Sequence, residues 1–168
     1  MAMAFSFRCA SCDEVHNGMP ALGAPAPDAW YRLSEHERAS RAELSDEECI
    51  IDEKRFFVRG LYVIPVADED EPFAWIVWVE CDREAFMTWL DGHETDDRES
   101  LGPLSGGLNS NLPGYSASTL GVPVTVWMQN GGQRPIVLAG DTHHPIAAEQ
   151  DGISATRLAE IYAVALHG

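Results

Sequence analysis

The chain has 168 residues, 45% of them apolar, with five Trp and six Phe. This size and apolar content predict a single domain over residues 1–168 with a substantial core, and they argue against disorder. Its 27 acidic residues against 11 basic ones give a net charge of −16. Such a charge argues against nucleic-acid binding, because proteins that bind nucleic acids present clustered Lys and Arg to the phosphates.

The sequence predicts no membrane segment. Its longest apolar run, residues 73–79, is far shorter than the roughly 20 residues that a membrane helix needs. Residues 1–8 also lack the basic start and apolar centre of an export signal. Four cysteines, two of them in a Cys-x-x-Cys pair, are too few for a disulfide scaffold and are typical of metal-binding thiolates in a reducing compartment. We therefore predict a cytoplasmic protein.

The first third of the chain predicts a short strand, a linker and a helix. Residues 5–9 read as a strand that leads into the Cys-x-x-Cys pair, and the Gly and Pro residues from 18 to 27 predict irregular structure. Ser34 and Glu37 have the spacing of a capping box, which predicts an exposed helix that runs to about Leu44.

The central stretch, from Cys49 to Cys81, contains two runs rich in aromatic and β-branched residues on either side of the acidic turn 67–71. This pattern predicts an antiparallel hairpin. Asp82 then predicts the start of a helix, because its carboxylate can accept from the first free backbone N–H groups. Phe86, Trp89 and Leu90 would share the face of that helix that packs on the sheet.

A second hairpin is predicted from residues 122–128 and 135–138, which flank the turn-forming pair Asn130-Gly131. The glycine-rich run 102–108 does not favour a strand interior. Two helices follow, the first with Thr142 as its cap and Pro145 in its first turn, and the second with Ser154 as its cap.

These elements predict the α+β class, with a mostly antiparallel sheet of about five strands, two or three packed helices and an N-terminal zinc knuckle.

Metal-ligand spacing is present near the N-terminus. Cys9, Cys12 and His16 offer two thiolates and an imidazole, and we predict Cys49 as the fourth ligand of a structural zinc site. Such a site would clip residues 1–20 to the hairpin 49–81. The choice between Cys49 and Cys81 as the fourth ligand stays open. In a simpler interpretation without metal, Cys49 and Cys81 are buried apolar thiols, and Cys9 and Cys12 form a redox pair or have no role.

A second group of chemically capable side chains lies near the C-terminus: Asp141, His143, His144 and Glu149. Their chemistry suits acid–base catalysis or metal binding. The simpler interpretation, which we favour, is a helix start in which these residues satisfy backbone amides and Glu149 pairs with Arg134 or Arg157.

Four segments taken in order carry a family resemblance: residues 7–12 with His16, residues 46–60, residues 112–115, and residues 133–150. Together they resemble a bacterial family catalogued as domain of unknown function 2199. The resemblance implies a compact single-domain bacterial protein and supplies no activity. In that pattern Cys81 stands at a position of an ordinary apolar residue, and Asp13 stands where a glycine follows the second cysteine.

The function predicted from these observations is binding. The acidic runs 68–71 and 91–99 are typical of solvated loops, and they could also meet a basic partner. We predict an acidic protein-binding module, immunity-like in that it would neutralise a basic toxin. The alternative is a metal-dependent or acid–base hydrolase that uses the cluster at residues 141–149. The sequence leaves the oligomeric state open.

Overall fold

The computed structural model describes residues 5–9 and 12–167. Residues 1–4, which belong to the segment examined for an export signal, lie outside the described residues, as do Ala10 and Ser11 of the predicted knuckle. Within the described residues the chain forms ten β-strands and five α-helices, which confirms the α+β class.

The strands are β1 (Ser6–Arg8), β2 (Val15–Asn17), β3 (Leu22–Gly23), β4 (Ala42–Leu44), β5 (Glu48–Ile51), β6 (Arg55–Ile64), β7 (Phe73–Cys81), β8 (Pro103–Leu108), β9 (Pro123–Trp127) and β10 (Ile136–Ala139). The helices are α1 (Asp28–Tyr31), α2 (Glu35–Arg41), α3 (Arg83–Asp91), α4 (Pro145–Glu149) and α5 (Ala155–His167).

Five strands close into a barrel. Strands β6, β7, β8, β9 and β10 pair in that order, and β10 returns to β6 through the parallel pair Ile136↔Leu61. The N–H of Leu61 donates to the carbonyl oxygen of Pro135 at 2.9 Å and supports this seam. Strand β3 extends the sheet beside β7, and β5 and β4 extend it beside β6. The sheet thus has eight strands within the described residues, more than the five expected.

Both predicted hairpins are confirmed. Strands β6 and β7 pair antiparallel from Phe56↔Cys81 to Ile64↔Phe73, and β9 and β10 pair antiparallel beginning at Ile136↔Trp127. The strand that the sequence did not favour, β8, lies between them in the barrel and pairs with both β7 and β9.

Two glycines allow the strands of the barrel to approach closely. A Cβ atom at Gly60 would lie 2.7 Å from Cγ2 of Val137, and one at Gly106 would lie 2.5 Å from the carbonyl oxygen of Glu80. Glycine inside a strand permits this contact because it has no side chain. Gly106 of β8 therefore serves strand packing, although it weakens the strand signal in the sequence.

The apolar side chains divide into two clusters. The larger one draws on all five barrel strands and on α3 and α5, and the smaller one contains Ala29, Cys49, Ile51, Phe57 and Trp78. Val77 and Trp78 are consecutive in β7 but belong to different clusters, because successive side chains of a strand point to opposite faces.

The helix caps largely follow the sequence. Ser34 and Glu37 form the predicted capping box, and Asp82 caps α3 by accepting from the N–H of Ala85 at 2.7 Å. Helix α2 ends at Arg41 rather than near Leu44, because residues 42–44 pair with β5 as strand β4.

The cap of α5 is the predicted residue, whereas the cap of α4 is a different one. Ser154 accepts from the N–H of Arg157 at 3.0 Å, as expected for the start of α5. The cap of α4 is His144 instead of Thr142, with Pro145 in the first turn as predicted. Among the described residues, no helix has both the length and the apolar character needed to cross a membrane.

Candidate metal centre

The N-terminal hairpin of β1 and β2 carries the first ligands. Phe7 and His16 are paired across the two strands, and the N–H of Cys9 donates to the carbonyl oxygen of Glu14 at 2.8 Å. Asp13 has a φ of 57°, in the left-handed region, and its N–H donates to the carbonyl oxygen of Cys9 at 2.9 Å. Aspartate is one of the few residues that enter this region readily, so it can replace glycine after the second cysteine.

Four side chains converge beside this hairpin. The sulfur atoms of Cys9 and Cys12 and a ring nitrogen from each of His16 and His167 all lie within 4.8 Å of one another. Sγ of Cys12 is 3.2 Å from Nε2 of His16, and the Nε2 atoms of the two histidines are 3.5 Å apart. In a tetrahedral zinc site the corresponding separations are about 3.5 Å for sulfur to nitrogen and about 3.3 Å for two nitrogens. The group could therefore hold a metal ion.

The two thiols influence each other. A backbone hydrogen bond from Glu14 lowers the pKa of Cys12, but burial together with the hydrogen bond and charge of Cys9 raises that pKa above its usual value. Two adjacent thiolates repel, and a bound divalent cation removes this cost because it binds both in the deprotonated form.

His167 replaces Cys49 as the fourth member of the predicted ligand set. The structure does not bring Cys49 to the other three: its side chain is fully buried in the smaller apolar cluster, and it pairs with Phe57 across β5 and β6. Burial raises the pKa of Cys49 to about 11. Among the described residues, the group that could hold a metal ion thus contains His167 and not Cys49.

The other alternative, Cys81, also lies away from the group. It belongs to the larger apolar cluster, and burial, together with the charges of Asp82 and Glu80, raises its pKa to about 12.

Aromatic stacking positions the two histidines. The ring of His16 stacks on Phe7 with centroids 5.4 Å apart, and Phe7 stacks on Tyr162 of α5 at 5.6 Å. The Tyr162 hydroxyl donates to the carbonyl oxygen of Pro20 at 2.7 Å, which fixes α5 against the segment that follows β2. This packing brings the last turn of α5, with His167, to the hairpin. No sequence spacing could indicate it, since 151 positions separate the two histidines.

His144 and Glu149 of the cluster at residues 141–149 make contacts that stabilise the fold. Nδ1 of His144 accepts from the N–H of Ile146 at 3.1 Å, and its Nε2 lies 3.0 Å from the carbonyl oxygen of Ala117. These partners assign the ring proton to Nε2. Asp141 and His143 are exposed.

Glu149 makes a two-pronged ion pair with Arg157, with nitrogen to oxygen distances of 3.1 and 3.2 Å. Of the two partners foreseen for Glu149, Arg157 is the one observed, while Arg134 pairs with Glu47.

Arg157 also links two of the segments that carry the family resemblance. Its guanidinium donates to the carbonyl oxygen of Gly114 at 2.8 Å and lies 5.1 Å from the ring centre of Tyr115. The Tyr115 hydroxyl accepts from Nε1 of Trp75 at 3.3 Å, and burial raises the pKa of Tyr115 to about 12. The contacts of these residues hold the loop at 112–115 against α4 and α5.

Comparison with known proteins decides the family. A family model described as an uncharacterised protein conserved in bacteria, DUF2199, matches residues 8–153. The chain belongs to the DUF2199 family. This confirms the resemblance seen in the sequence. The match includes Cys9, Cys12 and His16 and ends before His167. No curated protein matches the chain, and no solved structure matches it either.

Proposed function

We propose that Cys9, Cys12, His16 and His167 bind a structural zinc ion that fastens the β1–β2 hairpin to the end of α5. The convergence of two sulfur and two nitrogen atoms from distant parts of the chain supports this proposal. Zinc favours tetrahedral sets of thiolate and imidazole ligands. Four protein ligands leave no coordination position for water or substrate, so the metal stabilises the fold and takes no part in a reaction.

Metal analysis tests this proposal. Purified wild-type protein should contain one equivalent of zinc by elemental analysis, and Co²⁺ in its place should give the visible absorption of a tetrahedral site. His167→Ala should change that spectrum, whereas Cys49→Ser and the exposed control His36→Ala should leave it unchanged. Less than about a tenth of an equivalent of zinc at neutral pH would contradict the proposal.

For the biological role, we propose that the protein is an acidic binding module for a basic protein partner, in the manner of an immunity protein, in the cytoplasm. The net charge of −16 supports this role, because charge complementarity accelerates association and selects partners. The single domain over residues 1–168 stays a prediction. Affinity for a basic folded protein that falls steeply as salt is added would support the role, and affinity indifferent to salt would contradict it.

The hydrolase alternative has weaker support. Two of its candidate catalytic residues already have structural partners: His144 is hydrogen-bonded to backbone groups, and Glu149 is paired with Arg157. If the cluster were catalytic, model ester or phosphoester substrates would be turned over, and His143→Ala would abolish that turnover without changing thermal stability.

A further inference from the structure

A groove of about 280 Å³ lies between α3 and the sheet edge formed by β4 and β5. Its apolar lining consists of Leu44, Ile50, Phe86 and Leu90, and two acids, Glu43 and Glu48, line it as well. Leu44 and Leu90 each leave 39% of their surface exposed. Covering them would be favourable, because removing apolar surface from water stabilises a complex.

The charged side chains that line the groove are both acidic, and the nearest imidazole, that of His93, lies outside the lining with its Nε2 3.7 Å from Oε1 of Glu48. No Lys, Arg or His lines it within the described part of the chain. Glu48 is held in place, because its carboxylate accepts from Nε1 of Trp89 at 3.2 Å and from the hydroxyl of Ser45 at 2.8 Å. Glu43 is exposed, and among residues 5–9 and 12–167 its carboxylate has no ion-pair or hydrogen-bond partner. An apolar surface with anionic groups beside it complements a segment that is apolar on one face and cationic on its flanks.

The edge of the sheet is poorly suited to adding a strand. Strand β4 has only three residues, and the N–H of its first residue, Ala42, already donates to the carbonyl oxygen of Arg38 in α2. Little of the edge is left for the ladder of backbone hydrogen bonds that an added strand requires. A helix needs no such ladder, because it inserts only side chains.

We infer that this groove is the docking site for an amphipathic, cationic helix of a partner protein, with apolar side chains seated among Leu44, Phe86 and Leu90 and a Lys or Arg beside Glu43. The inference rests on the proposed binding role and specifies the surface that carries it.

The test uses a fluorescent helical peptide of about 14 residues, roughly four turns, with Leu on one face and Lys on the other. Anisotropy at moderate salt should show binding to the wild-type protein. Leu44→Ser and Leu90→Ser should each weaken that binding about threefold to tenfold, as expected for the loss of a partly buried leucine contact. Glu43→Lys should weaken it at least as much. A Ser/Lys peptide of the same charge should bind more weakly than the Leu/Lys peptide.

Matched controls separate the groove from general electrostatics. Met87 is 47% exposed on α3 but does not line the groove, so Met87→Ser should leave the affinity unchanged. Glu71→Lys makes the same change of charge in the loop between β6 and β7 and should have a smaller effect than Glu43→Lys. Circular dichroism of every variant should show a retained fold, because all substituted side chains are exposed.

Equal binding by wild type, Leu44→Ser and Leu90→Ser would overturn the inference, and so would equal effects of Glu43→Lys and Glu71→Lys. Either outcome would place binding elsewhere and leave the proposed role intact. Sedimentation that showed a dimer dissociated by Leu90→Ser would also overturn it, because a second copy would then cover the groove. Failure of the wild type to bind both the peptide and a basic folded protein would remove the role itself.

Discussion

Replacing His167 with alanine is the sharpest test of the metal centre. The side chain is exposed, so its truncation removes few packing contacts, and a change in stability can be assigned to the lost ligand. In the proposed zinc site, the variant loses the ligand that links the end of α5 to the β1–β2 hairpin, while Cys9, Cys12 and His16 remain available to bind metal locally.

The size of the effect follows from the length of chain that the tie closes. His16 and His167 are 151 positions apart. In the chain-entropy treatment of a cross-link, closing a loop of that length restricts the unfolded state by about 5 kcal/mol at 25 °C. For a chain of this size each kcal/mol shifts the midpoint of thermal unfolding by about 2–4 °C. We therefore expect His167→Ala to lower Tm of the metal-loaded protein by about 10–20 °C.

The assay is thermal unfolding followed by circular dichroism, with and without a zinc chelator, for wild type, His167→Ala and His36→Ala. With zinc, only His167→Ala should unfold early. With chelator, wild type should fall to the level of His167→Ala, and the difference between them should disappear, because neither chain is then cross-linked. A loss of the same size with and without chelator would refute the reasoning, since it would show that His167 acts through packing alone.

Three further predictions concern the barrel, the helix cap and the buried phenols. Gly60→Ala should destabilise the protein by about 1–3 kcal/mol in urea unfolding, because its Cβ would press on Val137. His144→Ala should cost about 1 kcal/mol through the lost cap, whereas the exposed His143→Ala should stay within about 0.5 kcal/mol in the same measurement. Burial raises the pKa of three tyrosines, so the unfolded chain releases their protons first and stability should fall as pH rises above about 10. In a Tyr31→Phe variant, which lacks the one exposed tyrosine, tyrosinate absorbance should therefore appear together with the loss of circular dichroism, and ionisation before unfolding would contradict this. The tyrosines concerned are Tyr62, Tyr115 and Tyr162.

Local signals in the sequence predicted local structure well. The capping box at Ser34 and Glu37, the cap at Asp82 and both hairpins depend on residues close together in the chain, and each is present. The exact end of α2 was missed because residues 42–44 pair with β5, which overrides helix propensity at the boundary.

The sequence could not show contacts between residues that lie far apart in the chain. Glycine in β8 lowered its strand signal, although Gly106 is what lets β8 approach β7. The group that could hold a metal ion could be predicted only in part for the same reason. Cys9, Cys12 and His16 have a local spacing that indicates a ligand set, whereas His167 reaches them through the tertiary packing of α5, in which Tyr162 stacks on Phe7. Cys49 had the right chemistry, but strand alternation turns it toward Trp78 and Phe57.

The parallel seam of the barrel has a consequence for its motions. Strands β10 and β6 share the single residue pair Ile136↔Leu61, whereas β6 and β7 are paired from Phe56 to Ile64. Because few backbone hydrogen bonds hold this seam, its opening should cost less free energy than the opening of any other strand pair of the barrel. In native-state hydrogen exchange the amide hydrogen of Leu61 should therefore exchange much faster than that of Val77. The barrel should open transiently at this seam and form a curved open sheet.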